Sequence, residues 1–139
     1  MHYLFDYNWV MDGSNPNEKP GNAKIMRDIV DAMIANGDTI SIASKGPVSR
    51  VKLAERGFQE SEFKGIFEKC KKDKEFFDGI IDKYQTTAKE VCLIDDDEIN
   101  VYLAVNKLSH VNGIVYRGAH QLQDELYEKK FLTRLDHTD

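Results

Sequence analysis

Three adjacent carboxylates, Asp95, Asp96 and Asp97, follow directly on the apolar run of residues 91–94 (VCLI), and Asn100 comes soon after. Neighbouring carboxylates repel one another unless a cation or a basic side chain neutralises them. A hard, oxygen-seeking ion such as Mg²⁺ accounts for the cluster economically. An alternative is that Asp97 caps the next helix while the others are solvated, since acidic caps are common at strand-to-helix turns. Both readings fit the stretch taken alone.

The element that must present these acids is a strand. An uninterrupted apolar run of this length suits a strand buried on both faces of a parallel α/β sheet. In open α/β sheets ligands gather beyond the carboxyl ends of the strands. Three other stretches deliver polar groups in the same way. Residues 2–5 (HYLF) form a short β-prone run ending at Asp6, and residues 39–43 (TISIA) form another ending at Ser44. Lys71 stands at the start of a helix whose apolar face is Phe76, Phe77, Ile80, Ile81 and Tyr84, with Asp73 as its expected N-cap.

The rest alternates. Residues 7–22 carry Asp12-Gly13, Pro16 and Pro20, which is turn chemistry. Apolar residues recur every four positions through residues 22–36, an amphipathic helix closed by Asn36-Gly37. Pro47 marks an expected helix start and Gly57 its end. Residues 64–67 (KGIF) read as a very short strand. Ile99, Tyr102 and Val105 mark a helix, residues 113–116 (GIVY) a fifth strand, and residues 119–135 a final amphipathic helix. This order predicts a three-layer α/β/α, Rossmann-like, doubly wound parallel sheet of about five strands.

Composition narrows the partners. A 139-residue chain of formal charge -5 has no basic stripe for nucleic acid. The opening residues lack a leader pattern, and no stretch is long and apolar enough to span a bilayer. Two cysteines, Cys70 and Cys92, make no disulfide framework and suggest a reducing, cytoplasmic setting. The four histidines have no zinc-ligand spacing, and Cys70 lacks the glycine-rich phosphate loop of a thiol phosphatase.

Parallel strands present their carboxyl ends on one side, so Asp6, Ser44 and Asp95-Asp96 are expected to converge, with Lys71 nearby. Taken singly, Asp6 reads as a turn residue, Ser44 as a helix cap and Asn100 as helix surface. Lys71 belongs to a basic run with Lys69, Lys72 and Lys74, and Lys72 is its alternative. As a set they suit phosphoryl transfer. Asp attacks phosphorus, Mg²⁺ and Lys neutralise the phosphoryl oxygens, and Ser donates to one of them.

In these four motifs, over roughly residues 1–118, the chain resembles the haloacid dehalogenase superfamily of phosphohydrolases. Asp6-Tyr7-Asn8-Trp9-Val10 stands where the family has DxDx(T/V), and residues 40–44 match its strand ending in Ser or Thr. Lys71 to Phe77 (KKDKEFF) resembles its lysine motif, and Asp95-Asp96 with Asn100 its DDxxxN. The resemblance implies Asp6 as nucleophile and Mg²⁺ ligand, with the Asn8 carbonyl and Asp96 completing the protein's share of the metal shell. It implies Asp95 close behind, Ser44 holding the phosphoryl group, Lys71 bridging it to Asp6, and Asn100 orienting the lysine. A response-regulator receiver has similar residues in a different order, with its acidic pair first, and is rejected.

One position departs from the family. Its active phosphatases carry Asp two residues after the nucleophile, as proton shuttle, and this chain has Asn8. A carboxamide exchanges no proton at neutral pH, although its backbone carbonyl still binds metal. Three explanations stand: a substrate whose leaving group needs little help, a slow or inactive phosphate-binding relative, or an engineered substitution. The gaps between motifs have no room for a cap, so an open site is expected to favour a bulky partner such as a phosphorylated protein side chain. Tyr7 and Trp9 flank the site and could stack on an aromatic phosphoester; Trp9 packed under the following loop is the other reading.

Overall fold

A computed structural model describes residues 1–133. Its five strands are β1 (His2–Asp6), β2 (Thr39–Ala43), β3 (Gly65–Phe67), β4 (Val91–Asp95) and β5 (Asn112–Val115). They form one parallel sheet in the order β3-β2-β1-β4-β5. The helices are α1 (Asn22–Ala35), α2 (Arg50–Glu55), α3 (Lys74–Lys83), α4 (Glu98–Asn106) and α5 (Ala119–Glu128). The chain winds outward from β1 to β3, then crosses back to place β4 on the other side of β1. That reversal opens the crevice between β1 and β4, where open α/β sheets receive ligands.

Every residue of β1 and β4 is buried, as their unbroken apolar runs require. Alternate side chains feed two cores. Tyr3, Phe5, Ile42, Cys92 and Ile94 pack beneath α1, α2 and α5 through Met26, Ile29, Leu53 and Leu122. Leu4 and Leu93 meet Phe77 and Ile80 of α3 and Val101 and Ala104 of α4 on the opposite face. The layers are therefore α/β/α, as expected. Phe77 is fully buried, and its truncation to Ala should cost about 3–5 kcal/mol. Gly113 lets α4 lie flat on β5, because a Cβ there would stand 2.7 Å from Val101 Cγ1.

Three expectations need correcting or limiting. Pro47 does not begin a helix: α2 starts at Arg50, with Ser49 Oγ accepting the Lys52 N–H as its cap. In α4 the inward face is Val101 and Ala104, whereas Ile99 and Tyr102 are 69% and 55% exposed. Of the expected final helix, α5 spans Ala119–Glu128; residues 134 and 135 lie outside the described residues. Among the described residues no helix is long and apolar enough to cross a membrane.

Candidate active site

β1 and β4 are neighbours running the same way, with Phe5 paired to Ile94, so Asp6 and Asp95 leave the sheet side by side. One ligand oxygen from each of Asp6, Asp95 and Asp96 lies within 4.8 Å of the others. Asp95 is completely buried and Asp6 nearly so, while Asp96 is half-buried. Asp97 is different. It caps α4, accepting from the Ile99 N–H at 2.9 Å, so the capping reading holds for this one residue of the three.

The lysine in the cluster is Lys72. Its ammonium donates to Asp6 Oδ1 and Asp95 Oδ2, both at 2.8 Å. Lys71, the residue expected there, is exposed and does not line the recess over the cluster. The correction has a local cause. After β3, Cys70 is tied to the end of β2 by its N–H to the Ser44 carbonyl at 3.0 Å. Burial then alternates along the segment, with Cys70 inward, Lys71 outward, Lys72 inward and Asp73 outward. Asp73 caps α3 through the Phe76 N–H, as expected.

Asp95 is saturated. Besides Lys72 it accepts from the Asp97 N–H at 3.0 Å and from Asn100 Nδ2 at 3.2 Å. Asn100 thus acts on the lysine through Asp95, not by direct contact. Ser44 is wholly buried and its Oγ accepts from the Gly46 N–H at 3.2 Å. It does not line the recess over the cluster, whereas Lys45 beside it does. That recess, of about 230 Å³, is walled by Asp6, Asn8, Trp9, Lys45, Lys72, Asp95, Asp96, Asp97 and Asn100. Trp9 and Tyr7 part company: Trp9 is 46% exposed at the rim and Tyr7 is buried. Lys45 carried no signal in the sequence beyond its place after Ser44.

The electrostatics are lopsided. Burial pushes the Asp6 carboxyl up to about 8, with the Asp95 charge adding to it and Lys72 opposing. Burial would also raise Asp95, but Lys72, the Asp97 N–H and Asn100 outweigh it and hold that carboxyl low. Asp96 is raised by burial and by the charge of Asp95. Burial disfavours the charged Lys72, yet the two carboxylates beside it win and raise its pKa. Three carboxylates thus share one ammonium, and the cluster lacks positive charge. A hard divalent cation fits both the all-oxygen donor set and that deficit.

No family model and no curated protein sequence matches the chain. Solved structures do. An uncharacterized protein from Corynebacterium glutamicum superposes with a TM-score of 0.74 at 19% identity, over 97% of this chain and 98% of that one. The N-terminal part of a Bacteroides fragilis protein, containing a phosphatase domain and complexed with Mg, gives 0.73 at 12% identity, over 94% of this chain and 40% of that one. The core domain of a proposed phosphoglycolate phosphatase from Streptococcus pneumoniae gives 0.65 at 22% identity, over 92% and 95%. The chain shares the fold of these phosphatase domains.

Proposed function

We propose that this chain is a Mg²⁺-dependent phosphohydrolase that works through an aspartyl-phosphate on Asp6. Its substrate would be an exposed phosphoryl group of a macromolecule, a phosphoprotein side chain such as phosphotyrosine, or a small phosphate ester. The observation that carries this reading is Lys72 bridging Asp6 and Asp95 beneath an open recess. The fold shared with phosphatase domains supports it. A cytoplasmic setting fits the two free cysteines.

An Asp6 oxygen attacks phosphorus and the ester oxygen departs with its electron pair, leaving the phosphoryl group on Asp6. Water then cleaves that acyl phosphate and returns the carboxylate. Lys72, with Asp95 and Asn100 fixing its position, neutralises charge on the phosphoryl oxygens. The Ser44 hydroxyl, which accepts from Gly46, keeps its own proton free to donate. A Mg²⁺ ion held by Asp6, Asp96 and the Asn8 carbonyl would keep Asp6 ionised and neutralise the phosphate. Asn8 offers the leaving group no proton, so departing groups of low basicity are favoured.

Asn8 also favours a second reading, in which the domain is catalytically weak and binds a phosphorylated partner as a scaffold. Release of phosphate from a generic aryl ester separates the two. The enzyme reading expects Mg²⁺-dependent turnover that Asp6→Asn abolishes. Binding without turnover leaves the scaffold.

A further inference from the structure

Trp9 is out of place as a surface residue. It holds a left-handed backbone (φ 65°, ψ 4°), a conformation costly for a side chain of its size. Its neighbours Tyr7, Val10 and Met11 are buried, yet its indole is 46% exposed. The backbone is clamped on both sides. The Trp9 N–H donates to Asp12 Oδ1 at 2.9 Å, and Asn15 Nδ2 donates to the Trp9 carbonyl at 3.0 Å. The clamps are themselves tied down, Asp12 by Ser14 and Asn15 by the Asn17 N–H.

Two spaces have Trp9 in their walls. One is the recess containing Asp6, Lys72 and Asp96. The other, of about 290 Å³, is lined by Asn15, Pro16, Asn17, Tyr116 and Arg117, and shares Trp9 and Asp96 with the first. A substrate whose phosphoryl group sits at Asp6 therefore has Trp9 in the wall of the recess it occupies. Of the polar groups in the second space, Arg117 is ion-paired with Glu98 and Asn15 is used at both ends of its amide, while the buried Tyr116 hydroxyl has no partner. A ring face needs only the indole to pack against.

We propose that Trp9 is the platform for the leaving group, and that it selects phosphoesters of flat aromatic alcohols over those of sugars and alkyl chains. The inference rests on the phosphohydrolase reading above. Asn8 points the same way independently, because a phenol departs without a proton from the protein.

Trp9 is the sole tryptophan of the chain, so its fluorescence reports the site directly. The test titrates phenylphosphonate and methylphosphonate into the protein with Mg²⁺, following tryptophan emission and binding heat. Phenylphosphonate should perturb the emission and bind about two- to tenfold more tightly. Trp9→Gly, which suits a positive φ, and Trp9→Leu, which keeps bulk without a flat face, should each erase that preference by calorimetry. Equal affinities in the parent protein, or a preference surviving both substitutions, would overturn the proposal and leave the phosphohydrolase reading standing. If neither phosphonate binds, both readings are overturned.

Discussion

Lys72 Nζ lies 2.8 Å from Asp6 Oδ1, although 66 residues separate them in sequence. The same ammonium reaches Asp95 at equal distance, so one side chain ties the tip of β1 to the tip of β4. Lys72→Met should lower phosphate release by about 10²-fold or more, while Lys71→Met changes it little. It should also destabilise the fold by about 3 kcal/mol, because it leaves buried carboxylates uncompensated. Steady-state rates and urea melts on both variants check this. Equal losses would return the role to Lys71 or spread it across the basic run.

Asp6 gives a pH signature. Its folded pKa of about 8 stands above the unfolded value, so folding takes up a proton between the two. Its contribution to stability is present below the unfolded pKa and fades as pH rises through about 8. A cation reverses this by favouring the ionised form. The Mg²⁺-induced rise in melting temperature should thus be larger above pH 8 than at pH 6, and absent in Asp6→Asn. A shift independent of pH would count against Asp6 as a ligand.

Asn8 is the cheapest position to change. Asn8→Asp restores a proton shuttle, and general acid catalysis is worth ~10²–10⁴-fold. Hydrolysis of an alkyl phosphate should rise far more than that of an aryl phosphate. Equal gains would refute the leaving-group explanation of this residue.

His2 lies far from the cluster, at the opposite end of β1. Burial, then the charges of Lys64 and the N-terminus, push its imidazole down to about 4. Its Nδ1 meets Thr39 Oγ1 at 2.5 Å, and its ring lies 4.6 Å from that of Tyr84. Below pH 6.5 the unfolded chain binds a proton here that the folded chain refuses, so stability falls as pH drops from 6.5 toward 4. The full loss is about 3 kcal/mol. Asp6 contributes in the opposite sense over this range, so the check is the stability difference between the parent and His2→Phe in denaturant melts, which should move against the parent on going from pH 7 to pH 4.5.

Read alone, the residues already named most of the architecture. Strand burial on both faces was written in the apolar runs of β1 and β4, and helix periodicity in α1 and α3, because these signals are local. The acids ending β1 and β4 were legible for the same reason: a polar residue closing a buried run must lie at the sheet's edge. What lay beyond the sequence was the direction of individual side chains. Lys71 and Lys72 are chemically identical neighbours, and only the tether of Cys70 to Ser44 decides which one faces the carboxylates. Tyr7 and Trp9 are both amphipathic, and the left-handed turn clamped by Asp12 and Asn15 sends one inward and the other out. In α4 the choice between Val101 and Tyr102 for the inner face rests on how closely Gly113 lets the helix approach β5. Local pattern determines which elements form; contacts between residues distant in sequence determine which atoms meet.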